Sequence, residues 1–132
     1  MLVLVCGSRD WQDIHAIRKR LVKLPPDTEI IHGGARGADS TAGMLADDLG
    51  FSVRVFYPNW NVHGEGATFA RNIKMLEERP DLVIAFQVGG SRGTQHTIDE
   101  AFKRRIPVEV YREVRRESKL NGETIHTVVR SI

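Results

Sequence analysis

The sequence predicts a doubly wound α/β domain, in which a mainly parallel sheet carries helices on both faces. Short segments rich in apolar and β-branched residues alternate with longer segments whose apolar residues recur at helical spacing. The predicted strands are nearly continuous in their apolar character, which is typical of strands covered on both sides. This alternation favours a parallel sheet of about five strands.

Five segments carry the strand pattern. They are Leu2–Cys6, Glu29–His32, Val53–Tyr57, Leu82–Phe86 and Val108–Tyr111. Between them, apolar positions three and four residues apart predict four helices. The four stripes are Ile14, Ile17 and Leu21; Ala42, Leu45, Ala46 and Leu49; Ala70, Ile73 and Leu76; and Ile98, Ala101 and Phe102. Gly50, Pro80 and Pro107 follow the last three stripes as stop signals.

The tail, residues 112–132, differs in character from the predicted core, residues 1–111. Arg112–Lys119 is dense in charge, Asn121-Gly122 is a favoured two-residue turn, and Thr124–Ile132 is rich in β-formers. A β-hairpin around Asn121-Gly122 and a charged helix over Arg112–Lys119 are both open. A solvated edge or a subunit contact is the ordinary role of such a tail.

Length and composition exclude several classes of protein. A chain of 132 residues with 41% hydrophobic and 27% charged residues is one globular domain rather than a disordered chain. The net charge of +2 is too small to indicate a coat for nucleic acid. The single cysteine, Cys6, excludes an internal disulfide and a zinc finger built from cysteines. No apolar run is long enough to span a membrane, and we expect a cytoplasmic protein of bacterial or phage type with no membrane partner.

Three predicted strand–helix connections are rich in glycine and small residues, and each carries an arginine. They are Gly7-Ser8-Arg9-Asp10, Gly33-Gly34-Ala35-Arg36-Gly37-Ala38-Asp39-Ser40 and Gly89-Gly90-Ser91-Arg92-Gly93-Thr94. The carboxyl ends of parallel strands meet at one edge of the sheet, where ligands bind. Glycine allows close approach of a ligand, helix starts offer free N–H groups, and arginine, which outnumbers lysine 14 to 5, binds phosphate in a forked manner. The sequence therefore predicts an anion site for phosphate, to which Arg71 adds a fourth arginine.

Other residues near this edge have two interpretations each. Trp60 is a candidate for stacking on a base, and a hydrophobic plug is the alternative, which we favour for Trp11. His63 could bond a ribose or phosphate, although a lone loop histidine is more often structural, and Asn72 could bond the sugar or a neighbouring loop. His32 should be buried with its hydrogen bonds satisfied. No metal-ligand spacing is present, so we expect neither a structural metal nor a cofactor.

Two common phosphate motifs are absent, namely G-x-x-x-x-G-K-[ST] and a G-x-G-x-x-G after the first strand. The motifs that are present resemble the SLOG superfamily, in its YspA/YpsA-like branch. The resemblance rests on these elements: Gly7-Ser8-Arg9-Asp10-Trp11; Ile31-His32-Gly33-Gly34-Ala35-Arg36-Gly37-Ala38-Asp39; Pro58-x-Trp60-x-x-His63-Gly64; and Ala70-Arg71-Asn72-x-x-Met75. Gly89-Gly90-Ser91-Arg92-Gly93-Thr94 is similar to the G-G-x-G-T element of the related Lonely-guy phosphoribohydrolases. The resemblance covers Leu2 to Val110 and implies a Rossmann-like fold, a nucleotide-derived ligand and a homodimer.

The catalytic residues of the Lonely-guy enzymes are matched only in part. These enzymes cut the N-glycosidic bond between a base and ribose 5′-phosphate with an arginine and a glutamate. Arg71 matches the arginine, whereas Thr97 stands at the glutamate position. Asp39 is the candidate that could replace the missing acid, and helix-dipole stabilisation is its ordinary role.

Three functions follow, in order of preference. The first is binding of a nucleotide or nucleotide-derived ligand through the glycine and arginine loops. The second is a nucleotide-processing enzyme that resembles the phosphoribohydrolases, with Arg71 and Asp39 as catalytic residues. The third, binding of single-stranded nucleic acid, is disfavoured because few aromatic residues stand near the arginines. The predicted ligand-binding residues are Gly7, Ser8, Arg9, Gly33, Gly34, Arg36, Gly37, Asp39, Trp60, His63, Arg71, Asn72, Gly89, Gly90, Ser91, Arg92, Gly93 and Thr94.

Overall fold

Six strands form one sheet in the computed structural model, which describes residues 1–120 and 123–131, with side chains for residues 1–113. The strands are β1 (Leu2–Gly7), β2 (Glu29–His32), β3 (Ser52–Val55), β4 (Leu82–Val88), β5 (Val108–Leu120) and β6 (Glu123–Ser131). The helices are α1 (Ile14–Leu21), α2 (Ala38–Asp48), α3 (Trp60–His63), α4 (Ala67–Glu77) and α5 (Arg92–Lys103), with one 3₁₀ turn at Gly64–Gly66.

The sheet has the strand order β3-β2-β1-β4-β5-β6. The first five strands of this order are parallel, and β6 runs antiparallel to β5. The order reverses between β1 and β4, because the chain adds strands first on one side of β1 and then on the other. The predicted doubly wound, mainly parallel α/β fold is thus confirmed.

Alternate residues of β1 face opposite sides of the sheet and divide the core in two. Val3 and Val5 pack with the cluster formed with α1 and α2, whereas Leu4 and Cys6 pack with residues of α4 and α5. All four side chains are at most 5% exposed. Because both faces of β1 are buried in this way, its sequence is apolar at successive positions.

Two residues of the predicted helical stripes face solvent rather than the core. Ile14, the first residue of α1, is 49% exposed, and Phe102, near the end of α5, is 65% exposed. Each lies in the terminal turn of its helix. In α4 the stripe is displaced: Ala70 and Ile73 are half-buried, whereas Arg71, Asn72 and Met75 are buried.

The tail after Tyr111 continues β5 rather than forming a helix. β5 pairs with β4 as far as Glu113, and residues 112–120 of β5 pair with 123–131 of β6. The charged-helix alternative for Arg112–Lys119 is therefore wrong, because this backbone is committed to ladder hydrogen bonds on one or both sides. The antiparallel pair agrees with the hairpin alternative, although the turn residues Asn121 and Gly122 lie outside the described residues. In the part of the chain that is described, no helix is long and apolar enough to cross a membrane.

Candidate functional site

A cavity of about 580 Å³ opens at the carboxyl ends of β1 and β4. This is the point where the strand order reverses, which is where open α/β sheets bind their ligands. The loop after β1, the start of α2, the first two turns of α4 and the start of α5 all contribute to its wall. A cavity of ligand size thus lies at the edge of the sheet where the sequence predicted an anion site.

The cavity brings together ten of the predicted site residues. They are Gly7, Ser8, Arg9, Asp39, Arg71, Asn72, Ser91, Arg92, Gly93 and Thr94. Eight others lie outside its wall, namely Gly33, Gly34, Arg36, Gly37, Trp60, His63, Gly89 and Gly90. The division follows the loops: the first and third loops reach the cavity, whereas most of the second loop does not.

The loop after β1 is held by the buried side chain of Ser8. Its hydroxyl accepts a hydrogen bond from the Val88 N–H at 2.8 Å, and its own N–H donates to the Phe86 carbonyl at 2.8 Å. The Ser8 carbonyl in turn accepts from the Ala38 N–H at 3.2 Å, at the start of α2. Ser8 thus joins β1, β4 and α2, and positions the arginine that follows it.

The second glycine loop is wrapped around a carboxylate of the protein itself. Asp39, in the first turn of α2, is 5% exposed, and its Oδ2 accepts from the Gly33 N–H at 3.2 Å. Backbone bonds from Ala35 and Gly7 also reach this carboxylate. Burial raises the pKa of Asp39 to about 6, although the Arg71 charge and these hydrogen bonds act in the opposite direction.

Two further residues complete the internal bonding of that loop. The Gly34 N–H donates to Nδ1 of His32 at 3.0 Å, and burial lowers the pKa of His32. The prediction that His32 is buried and satisfied is confirmed. Because Gly33, Gly34 and Ala35 all donate inside the protein, this part of the loop does not present the free N–H groups that its glycine content suggested. Arg36 is exposed and does not line the cavity.

Arg71 is a buried cation at the floor of the site. It is 8% exposed, its Nη1 donates to the carbonyls of Gly33 and, at 3.4 Å, Phe56, and its Nε donates to Oδ1 of Asn72 at 2.9 Å. Burial lowers its pKa, the Asp39 charge opposes this, and the nearby Arg9 charge lowers it further. Arg71 therefore ties β2, β3 and α4 together while it lies next to a second arginine.

The third glycine loop leads into α5 with its N–H groups unused. Ser91 is the N-cap and makes no side-chain capping bond, and the first helical bond is donated by Gln95 to the Ser91 carbonyl at 3.0 Å. The N–H groups of Arg92, Gly93 and Thr94 precede that bond and have no acceptor within the helix. These three residues, together with Ser91, line the cavity.

Thr97, which stands at the glutamate position of the Lonely-guy enzymes, also lines the cavity. It is 1% exposed, and its hydroxyl donates to the Gly93 carbonyl at 3.3 Å. The nearest acids do not substitute for it. Glu100 is paired with Arg104 at 2.6 Å and Lys103 at 3.2 Å, and Asp99 accepts from Gln95 at 2.9 Å.

The two tryptophans are both away from the cavity. Trp11 is 4% exposed and its ring centroid lies 5.3 Å from that of Phe86, so it is the plug that the sequence favoured. Trp60 is 55% exposed on α3, a helix without buried residues, and neither it nor His63 lines the cavity.

Several lining residues were not predicted as site residues. They are Cys6, Asp10, Ala35, Glu65, Thr68, Phe69, Met75 and Thr97. Helical spacing from Arg71 could have found Thr68 and Met75, which lie three residues before and four residues after it. The same spacing from Asn72 could have found Phe69, which lies three residues before it. Among the residues that the structure describes, no group of three or more His, Cys, Asp and Glu side chains is arranged to hold a metal ion.

Comparison with known proteins places these features in a family. Residues 1–63 match the YspA, cpYpsA-related SLOG family, known as YAcAr. The Gene 61 protein of Mycobacterium phage D29 is 37% identical over 115 residues, which cover 80% of this chain and 92% of the phage protein. The chain belongs to the YspA, cpYpsA-related SLOG family. Membership confirms the resemblance seen in the sequence, and the phage relative fits the expected bacterial or phage type.

The SLOG fold is also seen in a solved structure, that of DNA processing protein A (DprA) from Streptococcus pneumoniae. The TM-score is 0.54 with 16% sequence identity, and the match covers 81% of this chain and 57% of that one. At this identity the likeness concerns the fold alone. SLOG membership and fold are consistent with binding or processing of a nucleotide-related ligand, and the expectation against nucleic acid stays a prediction.

Proposed function

We propose that the chain binds a nucleotide or nucleotide-derived ligand, with the phosphate of the ligand at the N-terminus of α5. The observation that carries this proposal is the unused set of N–H groups on Arg92, Gly93 and Thr94 beside a cavity of about 580 Å³. A helix N-terminus with free N–H groups and a positive dipole end binds phosphate.

The arginines support the same assignment. Arg9, Arg71 and Arg92 line one cavity, and Arg9 lies close enough to lower the pKa of Arg71. Among the described residues, neither Arg9 nor Arg92 takes part in an ion pair. An anion bound between these side chains would relieve their mutual repulsion and add charge-assisted hydrogen bonds.

Arg92→Ala tests this assignment, and Arg36→Ala is the matched control. Both variants remove one exposed arginine from a glycine loop, but only Arg92 lines the cavity. A charge-assisted hydrogen bond contributes about 1.5–3 kcal/mol, so Arg92→Ala should weaken binding roughly ten- to a hundredfold. The measurement is calorimetry with the ribonucleoside 5′-monophosphate that raises the melting temperature most.

We expect Arg36→Ala to bind as the wild type does, because Arg36 does not line the cavity. An unchanged affinity in Arg92→Ala would contradict the placement of the phosphate beside Arg92 at the start of α5. A loss of affinity confined to Arg36→Ala would move it to the second loop.

Hydrolysis of the N-glycosidic bond is a second candidate, and one observation favours it. Asp39 lines the cavity, is buried near Arg71, and has its pKa raised to about 6. A carboxylate in this position could stabilise the developing oxocarbenium ion while water adds its hydroxyl to the sugar and a proton passes to the departing base. Thr97 supplies no charge to this step.

Release of free base from the monophosphates tests this candidate. Turnover by the wild type that is lost in Asp39→Asn, with the melting transition retained, would support hydrolysis. Binding without release of base would leave the protein a binder.

A further inference from the structure

One aromatic ring in the cavity wall has no role in the site described above. Phe69, in the first turn of α4, is 38% exposed and is the aromatic side chain among the described lining residues. An apolar ring left this exposed in a cavity wall loses part of the stabilisation that burial would give it. Its position therefore indicates a contact with a ligand.

The ring is held in place by its neighbours. It stacks on His96 with the ring centroids 4.2 Å apart and the planes 15° from parallel. Burial lowers the pKa of His96, so this ring is neutral at pH 7. The platform is therefore a pair of uncharged planar rings, one of which borders the cavity.

A hydrogen-bonded chain links this platform to the anion-binding part of the site. Oδ1 of Asn72 accepts from Arg71, which turns the Asn72 Nδ2 group towards Nδ1 of His96 and the Gly93 carbonyl, each 3.3 Å away. Because Nδ1 of the neutral His96 then accepts, the ring proton lies on Nε2. Asn72 thus fixes the stacked rings relative to both Arg71 and the start of α5.

We propose that Phe69 is the platform on which the base of a bound nucleoside phosphate stacks. This inference rests on the proposed function and adds the substrate class: a ligand with a planar base, rather than a phosphorylated sugar alone. Phe69 precedes Asn72 by three residues, or about 4.5 Å along α4, and Asn72 contacts Gly93 beside the phosphate cradle. One sugar can join a base on the ring to a phosphate at α5.

The test compares two ligands and three variants, of which the third, Phe69→Tyr, keeps an aromatic ring. Wild type, Phe69→Leu and Phe102→Leu are titrated by calorimetry with the tightest ribonucleoside 5′-monophosphate and with ribose 5-phosphate. Phe102 is 65% exposed on α5 and does not line the cavity, so Phe102→Leu controls for loss of an exposed ring. Base–aromatic stacking predicts a roughly five- to a hundredfold loss for the nucleotide in Phe69→Leu.

We expect ribose 5-phosphate to bind wild type and Phe69→Leu equally, and Phe69→Tyr to restore nucleotide affinity. Equal weakening of both ligands in Phe69→Leu would make the ring a packing residue and overturn the platform. So would a nucleotide affinity unchanged by Phe69→Leu, although the phosphate site would then stand. Failure of the wild type to bind either ligand would overturn the proposed function together with the platform, and tight binding of a single-stranded oligonucleotide in that case would assign the surface to nucleic acid.

Discussion

Asp39 is an anion that the protein supplies to its own glycine loop. Its burial has an energetic cost that the hydrogen bonds from Gly33, Ala35 and Gly7 and the charge of Arg71 offset only in part, since its pKa remains raised to about 6. The ordinary value is 3.8. The folded protein therefore holds a proton on Asp39 more tightly than the unfolded chain does.

This shift predicts a pH-dependent stability. Because the folded-state pKa is the higher one, the contribution of Asp39 to the free energy of unfolding falls as pH rises from about 4 to about 6. Each pKa unit corresponds to about 1.4 kcal/mol, so Asp39→Asn should gain about 2 kcal/mol relative to wild type between pH 4 and pH 7. Urea unfolding across this range measures the difference.

Asp48→Asn, which removes an exposed carboxylate from the end of the same helix, is the control for loss of one charge. A stability difference between Asp39→Asn and wild type that is constant with pH would contradict the raised pKa.

At the scale of elements, the start of α2 depends on a conformation that only glycine adopts readily. Gly37, its N-cap, has φ 79° and ψ −129°, and a Cβ there would clash with the Arg9 carbonyl. The loop after β1 and the start of α2 therefore approach each other more closely than any side chain allows. This contact positions the start of α2, from which Asp39 accepts the Gly33 N–H bond of the loop after β2.

Gly37→Ala should accordingly destabilise the protein more than Gly50→Ala. Gly50 also has positive φ, at 86°, but open space surrounds the position of its Cβ. We expect Gly50→Ala to cost on the order of 1 kcal/mol from backbone strain alone, and Gly37→Ala to cost about 1–3 kcal/mol more because of the clash. Urea unfolding of both variants gives the comparison, and equal losses would show that the close approach relaxes without cost.

The elements also mark how far the sequence predicts the site. Arg71 and the loops after β1 and β4 could be predicted, because the strand ends and the glycines indicate which edge of a parallel sheet binds ligands. That Arg92 lines the cavity and Arg36 does not could not be predicted, since the path of the second loop depends on which N–H groups Asp39 binds. The stacking of Phe69 could not be predicted either, because it depends on a ring contact with His96 on another helix.

At the scale of the whole molecule, strand order decides which loops can act together. β1 and β4 are neighbours in the sheet although some 75 residues of chain lie between them. The loops that follow them meet over the point of reversal, whereas the loop after β2 lies one strand away. The alternating sequence pattern was enough to predict where the strands lie in the chain. It does not predict that β1 and β4 are neighbours, which depends on the order in which the strands pair.

The three glycine loops differ in the main-chain N–H groups that they offer to a ligand. In the loop after β2, Asp39 and His32 accept from the Gly33 and Gly34 N–H groups, and in the loop after β1, Ser8 bonds to β4 and α2. At the start of α5, the N–H groups of Arg92, Gly93 and Thr94 remain as main-chain donors for an outside anion. A ligand with one phosphoryl end has a single orientation in such a cavity, and a ligand with two separated phosphoryl ends finds a main-chain cradle for one of them.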